Sequence, residues 1–255
     1  IDKPTDYFET KLYTGNGGTQ SITGLDFAPS WVWLKNRNTT ANHHLYDVIR
    51  GATKQLTTVD GRQEATQTNA LTSLNSDGFT VGIDGDVNGS GNGIVSWNWL
   101  AGTSVSGTTT GSGTSKAYTG SVNTDAGFSI ISFTGNETSG HTVPHHLGVA
   151  PSMVIVKRYD ASNNWRVGHN GLTSWEYRLT LESTDAQGSQ SAVFNSTAPT
   201  SSVVTFGNSG SSNGNNANYI MYSFAEKKGF SKFGSYVGNG SSSGPMIYLG
   251  FKPAF

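Results

Sequence analysis

The chain has 255 residues, of which only 13% are charged, and it carries a formal net charge of −1 and no cysteine. Without a basic surplus or a long apolar run it lacks the features of nucleic-acid binding and of membrane insertion, and without cysteine it can form neither disulfides nor thiolate metal sites. Gly and polar turn-forming residues replace the missing charge while aromatic residues stay at 11%, so the composition predicts many short strands joined by polar turns.

Strand-like segments dominate residues 1–103. Residues 30–35, 78–82 and 93–99 mix β-branched and aromatic residues and are bounded by turn formers. In the last of these the side chains alternate, which places one set on each face of a strand. No segment has a convincing helical pattern. The first part of the chain is therefore predicted to form one β-sandwich unit.

The loop between two of these segments has the spacing of a calcium-binding loop. Asp84, Asp86 and Asn88 stand at alternate positions and Gly89 follows, so hard oxygen ligands could wrap one Ca²⁺. The twelfth position holds Val95 where an EF-hand needs a bidentate Glu. The alternative is a polar hairpin loop without metal, and no other cofactor is expected.

The same pattern of segments recurs in the second half. Residues 25–29 and 147–151 share a Leu-x-x-x-Pro pattern that leads into an apolar strand, and residues 249–253 repeat it. A second unit is therefore predicted over residues 125–228, joined to the first by a linker or long surface loop over residues 104–124. Residues 229–255 begin a third repeat or supply closing strands for the second unit. The fold class is all-β, with tandem antiparallel β-sandwich modules of jelly-roll type.

Aromatic residues in loop-like surroundings are candidate sugar contacts, because sugar rings stack on exposed aromatic faces. Trp165 and Trp175 are the candidates, whereas paired tryptophans on one strand face are assigned to the core. His169 could also stack on a sugar, and the favoured alternative is that it caps a strand. No nucleophile elbow, phosphate-binding loop or paired catalytic carboxylates can be recognised. An enzyme is not expected.

The repeated segments resemble a known group of modules. Residues 127–136 with 147–157, and residues 229–240 with 249–253, carry Gly-Phe-Ser, Gly-Asn and Leu-Gly-x-x-Pro elements. Residues 44–56 and 96–102 add an Arg-Gly-Ala-Thr-Lys segment and a Trp-Asn-Trp strand. This pattern resembles tandem modules in tail-fibre and other virion proteins of marine tailed phages. The resemblance implies a concanavalin-A-like (lectin-like) β-sandwich fold and a virion setting, but no binding site.

Three functions follow as expectations. The first is a virion structural protein such as a tail fibre, tail appendage or capsid decoration, located in the extracellular particle. Its partners would be other virion proteins in a homo-oligomer such as a trimer, with a host surface glycan as candidate ligand. The alternatives are a carbohydrate-binding module of a secreted or surface protein and, least favoured, a glycan-degrading enzyme.

Overall fold

The computed structural model describes residues 1–253 as a nearly all-β protein, with 38% of residues in strands and 4% in helices. Every strand ladder among these residues is antiparallel. The predicted all-β sandwich class is thereby confirmed. We call residues 1–102 module one, residues 103–225 module two and residues 226–253 the C-terminal segment.

Module one begins with a short 3-10 helix (Pro4–Asp6) and holds one four-residue helix, α1 (Gly85–Asn88). Its strands are β1 (Phe8–Thr14), β2 (Gln20–Ile22), β3 (Trp31–Asn36), β4 (His44–Asp47), β5 (Lys54–Thr57), β6 (Ala65–Thr66), β7 (Leu71–Asn75), β8 (Gly78–Val81) and β9 (Gly93–Trp99). They form a six-stranded sheet in the order β1-β9-β3-β4-β5-β6 and a three-stranded sheet in the order β2-β8-β7.

Module two repeats this arrangement and adds to it. Its strands are β10 (Thr103–Thr108), β11 (Thr110–Gly111), β12 (Ala117–Asn123), β13 (Phe128–Thr134), β14 (His141–Pro144), β15 (Met153–Arg158), β16 (Arg166–His169), β17 (Tyr177–Thr180), β18 (Gly188–Ser189), β19 (Val203–Phe206) and β20 (Asn218–Phe224), with one short helix, α2 (Ser191–Phe194). The sheets run β10-β12-β13-β20-β15-β16-β17-β18 and β11-β14-β19. The last six strands of the large sheet correspond one by one to the six strands of module one.

The Gly/Ser/Thr-rich stretch over residues 104–124 is not a free linker in the structure. It forms β10 and β12, which pair with each other, and β12 also pairs with β13, so the hairpin extends the large sheet of module two. The segment β11 pairs with β14 in the small sheet. Composition suggested flexibility because small polar residues lack apolar side chains to bury, but β12 buries Tyr118 and Val122 in the core of module two and its backbone pairs on both sides.

The central strands of each large sheet are buried on both faces. In β3, Val32 and Leu34 face the small sheet of module one, while Trp31 and Trp33 face module two. In β15, Val154 and Val156 face the small sheet of module two and Ile155 faces module one. The two large sheets therefore pack back to back, and the molecule is a stack of four sheets with three apolar layers between them.

The middle layer joins the modules through aromatic rings. Trp31 lies at its centre and stacks on Tyr222, with ring centroids 4.4 Å apart and an angle of 20° between the planes. Phe128 stacks on the same indole at 5.8 Å, and Trp99 packs against it at 4.6 Å. Aromatic rings packed in this way contribute large apolar areas and favourable ring contacts, so the two modules form one body.

A buried asparagine has the same role in both modules. Asn88 donates from its side-chain nitrogen to Gly82 O at 2.7 Å and accepts from Asn16 N at 3.0 Å. Asn213 donates in the same way to Gly207 O at 2.7 Å and accepts from Asn136 N at 2.9 Å. The backbone of the repeated Gly-Asn element, which follows β1 and β13, is thus hydrogen bonded to the buried asparagine. We call this contact, which joins the ends of β1 and β13 to the segments that carry Asn88 and Asn213, the asparagine lock.

The C-terminal segment forms neither a third sandwich nor closing strands within residues 226–253. A single bridge joins Lys227 and Ser231, and the side chains of Phe230 and Phe233 pack against the layer between the modules. Farther along, Tyr236, Val237 and the other large apolar residues are mostly exposed. Residues 254 and 255, at the end of the third repeat element, lie outside the described part of the chain.

Candidate functional site

A polar pocket opens at the end of module one that the small sheet leaves uncovered. Leu45 and Leu56 pair across β4 and β5 and face module two. The residues at the alternate positions, His44 and Gln55, therefore face away from module two. Together with Asp84 and Asp86, which the α1 turn carries, they line a cavity of about 180 Å³ that we call the polar pocket.

His44 is the buried centre of this pocket. Its Nδ1 is hydrogen bonded to the side-chain nitrogen of Gln55, and its Nε2 lies 3.4 Å from Oδ2 of Asp86. With the amide donating to Nδ1, the ring proton is placed on Nε2, where it faces the carboxylate. Burial lowers the pKa of His44, and the charges of Asp86 and Asp84 oppose that shift without cancelling it. The ring is therefore neutral and lies beside the carboxylate of Asp86.

The wall of the pocket is made mainly of groups that bind hydroxyls, and the guanidinium of Arg62, which also lines it, is paired with Asp60 at 2.7 Å. Asn42, Gln55, Gln63 and Gln67 bring side-chain amides, each of which can donate and accept. The side chain of Asp86 is half exposed, so its carboxylate can accept hydrogen bonds from a ligand. Such convergent donors and acceptors suit a neutral polyol such as a sugar.

The three candidate calcium ligands are divided by the fold. Asp84 caps α1 by accepting a hydrogen bond from Asp86 N at 2.9 Å, and both carboxylates line the polar pocket. Asn88 points the other way, fully buried, with its amide bound to backbone and to Asn16. It is therefore not available to complete a loop of three ligands. Among residues 1–253 no group of three or more His, Cys, Asp or Glu side chains is gathered that could hold a metal ion.

Trp165, predicted as a sugar contact, is a joint between the modules. Its side chain is fully buried, and Nε1 donates to Thr57 O of module one at 2.9 Å. The buried ammonium of Lys157 lies 6.0 Å from the centre of the indole and donates to Gly61 O, also in module one, at 2.9 Å. Both faces of the indole are thus covered by protein, and the structure corrects the exposed loop position that the prediction required.

Trp175 and His169 lie elsewhere in module two. Trp175 is 8% exposed and belongs to the core, where its ring meets Phe194 at 5.5 Å in an edge-to-face arrangement. His169 ends β16 at the surface, accepts from Gly171 N at 2.8 Å and lies 6.4 Å from the ring of Phe233. The three residues form no common site. Only His169 lies at the surface, so a ligand contact stays a prediction for this residue alone.

A larger cavity of about 300 Å³ lies at one end of the layer between the modules. Its base is aromatic, with Trp31, Trp99, Phe128 and Phe224, and the C-terminal segment covers it through residues such as Phe230. The segment that covers it belongs to this same chain, so the cavity is part of the packing of the C-terminal segment onto the modules.

The sequence analysis did not select His44, Gln55 and Gln67, because no motif in the sequence groups them. They are separated along the chain and meet only through the pairing of β4 with β5 and of β5 with β6. The useful signal was the alternation in residues 44–47 and 54–57, since the two leucines that face module two imply that His44 and Gln55 share the other face.

The fold and these sites define an all-β protein of two fused β-sandwiches. The chain belongs to the family described as "Domain of unknown function (DUF7483)", whose model matches residues 3–255. No curated protein and no solved structure matches the chain. No helix among residues 1–253 is long and apolar enough to span a membrane.

Proposed function

We propose that this protein is a non-enzymatic structural component of a virus particle, such as a tail fibre or tail appendage, that contacts a host surface glycan through the polar pocket of module one. The observation that carries the binding role is the pocket itself. A buried neutral His44 lies beside the half-exposed carboxylate of Asp86 among several amide side chains.

The structural role is supported by the way in which the modules are joined. An aromatic layer and a buried hydrogen bond from Trp165 to Thr57 O make the two sandwiches one rigid body. Rigid β modules in tandem suit a part that transmits force or spaces a receptor-binding surface. The particle itself is suggested by the resemblance of the repeated sequence elements to phage tail-fibre modules.

The carboxylates of the pocket favour binding over glycan cleavage. Glycosidases place two carboxyl groups on opposite sides of the scissile bond. Asp84 and Asp86 instead stand two residues apart on one turn, and Asp84 is engaged in capping α1. One loop that presents both acids from the same side is suited to accepting hydroxyl hydrogens.

A glycan array of bacterial surface polysaccharides tests the binding role. The wild-type chain is expected to bind a subset of the glycans, and Asp86→Ala to weaken that binding by about tenfold or more, because a charge-assisted hydrogen bond is lost. The control Asp185→Ala changes an exposed acid of module two and leaves binding unchanged. Silence of the wild-type protein across the array would refute the glycan role.

The particle role needs a separate measurement. Antibodies against the chain should label purified virus particles from the organism that encodes it, at the tail or at another surface projection. Glycan binding without any particle labelling would instead identify a carbohydrate-binding module of a secreted or surface protein.

A further inference from the structure

The polar pocket of module one has a counterpart in module two with opposite chemistry. In module one, Leu34 pairs with His44 and His44 pairs with Thr57; in module two, Val156 pairs with Arg166 and Arg166 pairs with Thr180. The register thus places Arg166 where module one has His44. By the same ladders, Arg178 stands where module one has Gln55.

The loop above this position has changed as well. Module one presents Asp86 to His44, at 3.4 Å between Oδ2 and Nε2. Module two presents Ser211 to Arg166, with Nε donating to the hydroxyl oxygen at 3.2 Å. Module one therefore has a carboxylate beside a neutral imidazole, whereas module two has a hydroxyl beside a guanidinium at the equivalent position.

The two guanidinium groups of module two lie side by side. Nη1 of Arg166 and Nη1 of Arg178 both donate to Thr180 Oγ1, at 2.9 Å and 3.4 Å. Nε of Arg178 donates to the side-chain oxygen of Gln190 at 3.0 Å. Within residues 1–253 no acceptor takes a hydrogen bond from Nη2 of either arginine.

No carboxylate compensates this pair of positive charges at contact distance. Among the described residues, no Asp or Glu oxygen lies within 4 Å of either guanidinium, whereas Arg50, Arg62 and Arg158 each have such a partner. The carboxylate of Glu182 acts on Arg166 from farther away and accepts hydrogen bonds from Trp165 N at 3.2 Å. Arg166 is only 9% exposed, and a buried charge of this kind is costly without an anion.

We propose that Arg166 and Arg178 form a binding site for an oxyanion, such as the carboxylate of an acidic sugar or a phosphate group. Paired guanidinium groups present parallel N–H donors in the spacing that a carboxylate or phosphate accepts. The hydroxyls of Ser211 and Thr180 hold the two guanidinium groups in place. The site goes beyond the proposed function, because it does not depend on what the polar pocket of module one binds.

The experiment follows the Nε–Hε correlations of the six arginines by NMR while a ligand is added to the full chain. The probes are glucuronic acid, a glucuronate-containing oligosaccharide, inorganic phosphate and, as the neutral control, glucose. Arg178→Gln and Arg166→His place the residues of module one at the same positions, which module one shows to be compatible with this fold. Arg158→Gln is the control, because Arg158 has its own partner, Asp160, at 2.7 Å.

The signals of Arg166 and Arg178 are expected to shift with the anionic probes and not with glucose. Arg178→Gln should weaken binding by about tenfold, the loss of one charge-assisted contact, and Arg158→Gln should leave it unchanged. Tighter binding of the oligosaccharide than of phosphate assigns the anion to a sugar, and equal binding assigns it to a free anion. The proposal is overturned if neither arginine responds to any anion, or if Arg178→Gln binds as well as the wild type. If Asp86→Ala left glycan binding unchanged, only the proposed site of module one would be refuted, and the anion site of module two would be unaffected.

Discussion

The hydroxyl of Tyr222 in module two donates a hydrogen bond to Oδ2 of Asp47 in module one, at 2.7 Å, and both side chains are fully buried. The same carboxylate oxygen accepts from Nε of Arg50 at 2.7 Å, and Arg50 also pairs with Glu64 at 3.1 Å. Burial and the neighbouring carboxylate raise the pKa of Tyr222, so the phenol keeps its proton and acts as the donor. A buried ion cluster of module one is thus completed by a residue of module two.

Replacing Tyr222 by Phe is expected to lower the free energy of unfolding by about 1.5–3 kcal/mol, since a hydrogen bond to a buried charge is lost while ring packing is kept. Urea denaturation measures the change. Tyr7→Phe is the control, because the hydroxyl of Tyr7 makes no hydrogen bond to any described residue. Equal effects of the two substitutions would show that the contact with Asp47 contributes nothing.

Because the asparagine lock is the same in both modules, removing it from either module is expected to lower the free energy of unfolding by the same amount. Asn88→Ala and Asn213→Ala each remove the side chain that holds the end of β1 or of β13, and leave a buried carbonyl, Gly82 O or Gly207 O, without a donor. We expect a loss of about 3 kcal/mol in each case. Thermal unfolding measures it, with Asn239→Ala as the control, because Asn239 is exposed and accepts only from Ser241 N. If only one of the two variants lost stability, the two asparagines would not be structurally equivalent.

The all-β class was predictable from composition and alternation, whereas the stacking of the modules was not. The apolar run at Met153–Val156 was the sequence signal for the stacking, because an apolar residue at every position indicates a strand that is buried on both faces. The hairpin over residues 104–124 was not predicted, because its few apolar residues, such as Tyr118 and Val122, are dispersed among Gly, Ser and Thr and gave no clear strand pattern. The polar pocket escaped prediction because its residues meet only through strand pairing.

Stability is expected to fall as the pH is lowered from about 7 to about 5. Burial lowers the pKa of all six histidines, and His141 and His145 are fully buried. As the pH falls through about 6.5, the histidines of the unfolded chain become protonated while those of the folded chain stay neutral. The unfolded state then binds more protons, so unfolding is favoured. The loss levels off only below the lowered pKa values. A pKa lowered by one costs about 1.4 kcal/mol in this range.

His141 offers the variant that checks this pH dependence. Its ring is hydrogen bonded to Asn213 Oδ1 and to Thr109 Oγ1, both at 2.7 Å. His141→Gln keeps a polar side chain that does not titrate, so it should reduce the slope of stability against pH between about 7 and 5. His169→Gln, at the surface, should change the slope less. Urea denaturation at several pH values measures both, and an unchanged slope in His141→Gln would exclude this histidine as a source.

Gly168 tests whether Trp175 is a core residue. A methyl group on Gly168 would lie 2.3 Å from the ring of Trp175 and 2.9 Å from that of Phe194, whereas a methyl group on Gly210 would meet nothing within 4 Å. Because the packed core can make room for this methyl group only by moving both rings, Gly168→Ala should destabilise the protein by about 1–3 kcal/mol. Gly210→Ala is the matched control and should change stability by less than about 0.5 kcal/mol. If Gly168→Ala were equally neutral, Trp175 would have to be free to leave the core, and its role as a ligand contact would reopen.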